Sequence, residues 1–537
     1  MNGADIMVKC LEKEGITDVF GYPGVAICPF YNSILDSDIR TILIRTEQNA
    51  AHAASGYARC DDKPGVCAVT SGPGATNLIT GIATAFADSI PLVCITGQVN
   101  SELLGSDVFQ EADITGACES FVKYSYLVKD ANEIPRIFKE AFYIANTGRK
   151  GPVLIDVPID VQNQTVSKFK YPEDIHMRTY KPTVKGHAVQ IAKVVKELEK
   201  AKRPLICAGG GVLLSNAKKE LCQFAEKHNI PVVTTMMGIG VMPTNHPLNF
   251  GMVGNNGKPY ANRAMNESDL LIMVGARVAD RAVNQPDLIT KDKVLVHIDV
   301  DPAEIGKNAG PSIPLVGDAK HIFKDFAEND FCCEHEQWLE TLNEYRNTMG
   351  IKRNPNPAYV DPAEFLRKLS SKMKNDAVYV ADVGQNQIWS CAYVQIKDGT
   401  FMTSGGMGTM GYSIPAAMGA KLSKPDKQVV AVCGDGSFQM SMMELGTMRQ
   451  HNVPVKIIVM NNNYLGMVRQ YQHFTYKDNY SVVDLTGSPN LEKLSAAYDI
   501  PFIRVENMEQ ADAAIDKFIA DDTSYLMEIM IDPMDLV

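Results

Sequence analysis

Residues 427–472 read KQVVAVCGDGSFQMSMMELGTMRQHNVPVKIIVMNNNYLGMVRQYQ. An apolar run, Val429 to Cys433, ends in Gly434-Asp435-Gly436. A helix-like stretch follows with Met442, Leu445 and Met448 on one face, and a second apolar run, Val455 to Met460, ends in Asn461-Asn462. Strand, helix and strand make a βαβ unit, whose right-handed crossover leaves the two strands parallel. Asp435 and Asn462, 27 residues apart, therefore sit at the same carboxyl edge of a sheet, where open α/β sheets bind their ligands.

A carboxylate and a side-chain amide converging at that edge offer two hard oxygens. They suit a small divalent cation that completes its shell with phosphate oxygens and water, so the pair predicts magnesium diphosphate as guest. The flanking glycines let backbone approach phosphate, and the helix opening after Ser437 aims free N–H groups at it. GDG alone is equally a tight βα turn with no ligand; the specificity comes from GDG together with the asparagines across one crossover.

A chain of 537 residues is too long for one core, and at about 150 residues per domain it predicts three or four. Hydrophobic residues at 45% and charged residues at 21% are ordinary globular values, so large cores can be buried. The net charge of −11 argues against nucleic acid or an anionic membrane as partner. No apolar run approaches the ~18 residues of a membrane span, and MNGADIMVKCLEKEG at the start reads as an amphipathic helix, so a soluble, cytoplasmic protein is expected. The 12 cysteines contain no CxxC pair and read as reduced small hydrophobes, with Cys332-Cys333 the one adjacent pair; with ten scattered histidines, no zinc site is expected.

Three α/β sections follow in order: an N-terminal domain over 1–165, a central domain over 186–325 and a C-terminal domain over 358–537. The first repeats a strand–turn–helix pattern through ITDVFGYPG, TILIRTEQ, GVCAVTSGPGATNLITGIATAF, IPLVCITGQ and GPVLIDVPIDV, predicting a parallel, doubly wound sheet. A polar, proline-bearing segment, Gln162 to Lys185, links to the second section, with strands at 204–211, 230–235, 269–278 and 293–302. The charged stretch from Lys324 to Pro357 carries helical spacing but no repeat and reads as a second linker, and AVYVADVGQNQIWS, SGGMGTMGYSIPAAMGA and the opening unit make the third section.

Several residues invite a functional and a plain reading together. Glu47 follows the strand Thr41–Ile44 and faces the crevice, or is simply a first-turn acid favoured by the helix dipole. Gly72-Pro73-Gly74 lacks the P-loop lysine and reads as a tight turn beside a ligand. Gly209-Gly210-Gly211 follows a strand without the GxGxxG spacing. Arg277 and Arg281 could hold phosphate or a substrate carboxylate, or be solvated loop charges. Met410 among glycines is either core or a cofactor contact.

GDG followed by NN resembles the thiamine diphosphate (ThDP) motif, and nearly the whole chain is similar to the catalytic subunit of the acetohydroxyacid (acetolactate) synthase family. The matching stretches include FGYPG (20–24), EQNAAHAASGYAR (47–59), SGPGATN (71–77), FQEADITG (109–116), GPVLIDVPIDV (151–161), HIDVDPAEIGKN (297–308), DVGQNQIW (382–389), GMGTMGYSIPAAMGA (406–420), GDGSFQM (434–440) and NNNYLGMVRQ (461–470). The resemblance implies three doubly wound domains, called PYR, central and PP, and ThDP-dependent joining of pyruvate to a second 2-oxo acid for branched-chain amino-acid synthesis.

It also implies roles. Glu47 would activate the cofactor, and Asp435, Asn462 and the Tyr464 carbonyl would bind Mg²⁺. Met410 would prop the bent cofactor, with Pro73 and Asn77 beside its aminopyrimidine and Gln385 and Ser437 at its diphosphate. Asn386, Gly408, Gly436, Leu465 and Gly466 would border it. Phe109, Gln110, Lys123, Arg277, Met467 and Val468, with Tyr471 where the family has tryptophan, would form the catalytic pocket. FAD would lie along Arg149, Gly209, Gly210, Gly211, Gly251 to Asn262, Arg277, Asp299 to Lys307 and Asp318. Because Glu47 and Asp435 serve one site from different subunits in this family, a homodimer or homotetramer is expected, and a small regulatory subunit is a further partner.

The chain departs from the family pattern at Val25 in PGG, Asn49 in HEQG, Tyr124 in KH, Asn255-Asn256 in MHG, Asn386 in GQHQ, Val278-Ala279 in RFDDR, and Tyr471. It closes at Met534–Val537, where the family continues into a capping tail, so a less covered site is expected. These differences sustain an alternative, a related ThDP-dependent 2-oxo acid decarboxylase or carboligase acting on another substrate; a non-enzymatic scaffold has no use for Glu47, Asp435 and Asn462.

Overall fold

Long apolar runs bounded by glycine turns become strands buried on both faces. The computed structural model describes every residue except 284, 330, 332–334 and 351–352, and Cys332-Cys333 lies outside the described residues. Its strands form three six-stranded sheets in which every strand pair is parallel. The first holds β1 (Asp18–Tyr22), β2 (Arg40–Leu43), β3 (Gly65–Val69), β4 (Leu92–Gln98), β5 (Tyr124–Leu127) and β6 (Pro152–Pro158) in the order β2-β1-β3-β4-β6-β5. Every residue of β3, β4 and β6 is buried, as sheets covered by helices on both sides require.

The second sheet holds β7 (Pro204–Ala208), β8 (Val232–Thr234), β9 (Asn249–Met252), β10 (Leu270–Val274), β11 (Val294–Asp299) and β12 (Ile313–Val316), ordered β12-β11-β10-β7-β8-β9. Counted from its own first strand, this is the 3-2-1-4-5-6 order of dinucleotide-binding sheets, with the switch point between β7 and β10. The third holds β13 (Val378–Ala381), β14 (Thr400–Met402), β15 (Val429–Gly434), β16 (Lys456–Asn461), β17 (Phe502–Val505) and β18 (Tyr525–Met530), ordered β14-β13-β15-β16-β18-β17. Its winding repeats that of the first sheet strand for strand. The doubly wound parallel expectation holds for all three.

Of the helices, those that position the site are α1 (Gly3–Lys13), α2 (Glu47–Ala58), α3 (Ile134–Asn146), α4 (Glu336–Thr348), α5 (Ser413–Ser423), α6 (Asp435–Ser441), α7 (Glu444–His451) and α8 (Gly466–Tyr476). The first and third sheets are joined through α2 and α5, whose sequences EQNAAHAASGYA and SIPAAMGAKLS are rich in small residues. A Cβ on Gly56 would overlap the Ala416 carbonyl, and one on Gly419 would overlap that of Ala53, so the two backbones touch. Ala50, Ala53 and Ala54 of α2 share one buried core with Ala416, Ala417 and Ala420 of α5. Beside it Arg59 pairs with Asp88 at 2.9 Å, both side chains buried, and Asp88 also accepts from the Gly406 amide at 2.7 Å.

Three readings need correction. The helix expected after Ser437 begins at Asp435 itself, because Gly434 is extended and caps it, and it breaks at Met442–Met443 into α6 and α7. The helical spacing of the Lys324–Pro357 stretch forms α4, which is more than a linker because it buries Trp338 and Leu342 in the core under the second sheet; Glu336, Glu340 and Glu344 are exposed, while Arg346 lies over Phe250. Strands β5, β9, β12, β14, β17 and β18 were not singled out in the sequence. All but β18 are edge strands, where mixed patterns such as YSYL and NFGM conceal the period.

Gly419→Ala tests the helix seam. A single methyl forced against the Ala53 carbonyl is expected to destabilise the protein by about 1–3 kcal/mol, measured by urea unfolding, whereas Gly487→Ala at an open loop position with positive φ tests strain without a clash.

Candidate active site

Strands β15 and β16 lie side by side with Gly434 opposite Met460, so Asp435 and Asn462 emerge at one carboxyl edge. Asp435 is 5% exposed, and its Oδ2 is buried without a hydrogen-bond partner. Burial pushes its pKa up to about 7, against the pull of backbone amides at Gly436 and Asn463. A buried carboxylate oxygen with no donor is costly unless a cation takes it. Asn462 accepts from the Tyr464 amide at 3.0 Å and donates to Gln385 Oε1 at 3.2 Å. A Cβ on Gly466 would overlap Gln385 Oε1, so glycine keeps this wall open.

The cavity at this edge measures about 60 Å³. Gln385, Asn386, Met410, Asp435, Gly436 and Ser437 line it, as do Asn462, Tyr464, Leu465, Gly466 and Met467. The Ser437 hydroxyl is engaged with the Gly434 amide at 3.1 Å. Met410 is held by Asp382, a buried carboxylate that accepts from the amides of Gly411 at 2.9 Å and Ser413 at 2.8 Å. The reading of the sequence missed Asp382. Its signal was an acid closing the apolar run AVYVAD.

Glu47, Pro73, Asn77 and Gln110 form a second cluster, on the first domain. Glu47 opens α2 behind the cap Thr46, and its Oε2 accepts from Asn77 Nδ2 at 3.0 Å while Oε1 lies over Gly74. Gly72 has φ +58° and packs on Gln110, itself at φ +60°. The Phe109–Gln110 loop is tied down through Gln98, which donates to the Ala112 carbonyl at 2.8 Å and to Asp156 at 3.0 Å. None of this cluster lines the Asp435 cavity. The Glu47 half thus stands outside the Asp435 cavity, with Phe109 87% and Val25 75% exposed in the same domain.

A larger cavity of about 830 Å³ opens at the switch point of the second sheet. Arg149, Gly210, Gly211, Arg277, Asp299 and Asp318 line it, and it runs to Gly408. Val383, Gly384 and Met467 are walls common to both cavities. Gly209 lies beneath, where a Cβ would overlap the Gly275 carbonyl. Arg149 pairs with Glu304 at 2.9 Å, burial pushes Asp299 up to about 6, and Asp318 caps the following helix through the Lys320 amide at 2.9 Å.

Residues 1–117 match the family described as thiamine pyrophosphate enzyme, N-terminal TPP binding domain, residues 191–326 its central domain, and residues 382–529 its C-terminal TPP binding domain. A probable acetolactate synthase large subunit of Methanococcus aeolicus is 43% identical over 553 residues, covering 99% of this chain and 92% of that protein. The chain belongs to the acetolactate synthase large-subunit family. An acetolactate synthase of Arthrospira platensis is 42% identical over 523 residues, 94% of this chain and 90% of that protein. An acetolactate synthase large subunit of Lactococcus lactis subsp. lactis is 39% identical over 533 residues, 99% and 92% respectively.

Lys123 and Tyr471 line neither cavity. Lys123 turns into the protein, where its amine donates to the carbonyls of Ile144 and Thr147, the latter at 2.7 Å, and to the Tyr180 hydroxyl at 2.8 Å. It closes the end of α3, and burial pushes its pKa down to about 7. Tyr471 lies on α8, 59% exposed, edge-on to Tyr476 and outside both cavities of the single chain.

Burial also pushes Asp156 up to about 7. Its unfolded value lies near 3.9, so this carboxyl's contribution to stability is full below about pH 4 and is lost as pH rises to 7. Asp156→Asn, which does not ionise, is expected to flatten that decline, a relative gain on the order of a few kcal/mol between pH 4 and 7, read by urea unfolding at several pH values.

Proposed function

We propose that this chain is an acetolactate synthase that decarboxylates pyruvate and joins the two-carbon unit to a second 2-oxo acid, with ThDP and Mg²⁺ at the Asp435 edge. The observation that carries the reading is the buried, unpartnered Asp435 oxygen beside Asn462 in a cavity walled by glycine, in a chain whose residues 1–117, 191–326 and 382–529 match thiamine pyrophosphate enzyme domains. Bound there, ThDP supplies the electron sink that decarboxylation and carbon–carbon bond formation both need.

The chain's own residues supply the rest. Asp435, Asn462 and the Tyr464 carbonyl would hold the cation, a set of hard oxygens that suits Mg²⁺. Gln385 and Ser437 would meet the diphosphate, and Met410, fixed by Asp382, would support the cofactor from the side. Glu47, braced by Asn77, would hold a proton against the aminopyrimidine. Arg277 would take the carboxylate of the second 2-oxo acid as a permanently charged, bidentate donor.

Because Glu47 does not line the Asp435 cavity of its own chain, the complete site is proposed to form between two copies, with Phe109 and Val25 covered in the assembly and water shut out of the reaction. The 830 Å³ cavity suits a dinucleotide, since it sits at a dinucleotide-type switch point with Gly210–Gly211 and Arg277 in its wall. FAD would be held there by Arg149, Gly209, Gly210, Gly211, Arg277, Asp299 and Asp318. The Methanococcus aeolicus and Lactococcus lactis relatives are named large subunits, and a smaller partner for this chain belongs to the proposal. Among the described residues no helix is long and apolar enough to cross a membrane.

Incubation with pyruvate, ThDP, Mg²⁺ and FAD is expected to yield one acetolactate per CO₂; acetaldehyde as the main product would overturn the carboligase reading. Glu47→Gln is expected to lower kcat by about 100-fold or more. Asp435→Asn is expected to abolish the rise in Tm that ThDP with Mg²⁺ gives the wild type, measured by calorimetry.

A further inference from the structure

Helix α7 belongs to the third domain, yet it grips the turn of the first domain that carries Glu47. Glu444, its first residue, is 0% exposed. Its Oε1 accepts from the Arg45 amide at 3.0 Å and from Asn49 Nδ2 at 2.9 Å, and its Oε2 accepts from Thr447 Oγ1 at 2.6 Å. Arg45 and Asn49 bracket Glu47 by two residues on either side. One turn along, His451 Nε2 accepts from the Leu43 amide at 3.1 Å, Thr447 Oγ1 reaches the Leu43 carbonyl at 3.3 Å, and Arg45 donates to Gln450 at 2.8 Å. The end of β2 and the first turn of α2 are thus held by one face of α7.

We propose that Glu444 is a positioning residue for Glu47: by binding the backbone before it and the side chain after it, the Glu444 carboxylate sets the direction in which Glu47 leaves the β2–α2 turn. This rests on the reading of Glu47 given above. Three features favour the role over simple domain adhesion. Adhesion between the domains is already provided by the α2–α5 seam, where Gly56 meets Ala416 and Gly419 meets Ala53, and by Arg59 donating to the Thr403 carbonyl and Asp88 accepting from the Gly406 amide. A carboxylate is a costly group to bury as adhesive, and here every donor it meets, apart from its own helix's Thr447, lies in the Glu47 turn. Lastly, a side-chain oxygen that accepts from a backbone amide and from a side-chain amide at once fixes direction as well as distance, which suits a group whose neighbour must be aimed.

The test uses the full-length protein with Glu444→Ala and Glu444→Asp, which lose or shorten the reach, Glu444→Gln, whose Oε1 still accepts from Arg45 and Asn49, and Glu47→Gln as reference. Four readings are taken: hydrogen exchange of the Arg45 amide without cofactor, ThDP–Mg²⁺ affinity from the fluorescence of Trp389 in the cavity wall, exchange of the cofactor's C2 proton, and kcat and KM for pyruvate. In Glu444→Ala and Glu444→Asp the Arg45 amide is expected to exchange about tenfold faster or more, while cofactor affinity and KM stay within about threefold of wild type. C2 exchange and kcat are expected to fall together by about 30-fold or more, and Glu444→Gln to restore both to within about threefold.

If Glu47→Gln stops C2 exchange while Glu444→Ala or Glu444→Asp exchanges at the wild-type rate, whatever its Tm, Glu444 is structural only and the proposal fails alone. If Glu47→Gln itself exchanges at the wild-type rate, the reading of Glu47 fails and this proposal fails with it. Should Glu444→Ala not fold, Glu444→Asp decides by the same criterion.

Discussion

The contact between α2 and α5 is the constraint on which the rest depends. Two helices of alanine, glycine and serine approach until a methyl on Gly56 or Gly419 has no room, and the cores under the first and third sheets become one. Such packing has little tolerance, because interiors at crystal-like density do not absorb added volume. Its reward is accuracy. With the seam fixed, α7 of the third domain arrives against the turn that carries Glu47, and Asp88 of the first domain meets the glycine loop that leads to Met410.

Around that seam, buried carboxylates recur in one pattern. Asp382 holds the Met410 loop, Asp88 the loop before it, Asp156 the Phe109–Gln110 loop through Gln98, and Glu444 the Glu47 turn. Each is desolvated and each accepts several N–H or O–H groups, the arrangement that makes a buried acid tolerable. Asp435 is the exception. Its free oxygen faces a cavity rather than a donor, and that difference singles it out as a place for a cation.

The parallel sheets, the doubly wound class and the GDG–NN edge were legible because strands buried on both faces must be continuously apolar, and because a crossover of one hand places both turns at one edge. Glu47 was legible as an acid closing a strand. Edge strands such as β5 and β9 were not, since half their residues face water or loops and the period is lost. The hydrogen bonds of Lys123 to the carbonyls at the end of α3 were not legible either, since they join residues more than twenty positions apart. Glu444 was hidden because its partners, Arg45 and Asn49, lie 399 and 395 residues away.

By itself the amino-acid sequence determined what is local or periodic: three apolar-stranded α/β units, the hard-oxygen pair Asp435 and Asn462, and an acid at the mouth of α2. Tertiary structure alone decided which polar groups are spent and which are left over. It occupied Lys123, Ser437 and Asp318 with neighbours in the fold, left one Asp435 oxygen unpartnered, and kept the Glu47 cluster out of the Asp435 cavity of the same chain. The reason is physical: hydrogen bonds between elements hundreds of residues apart depend on where packing brings them, and no local pattern encodes that distance.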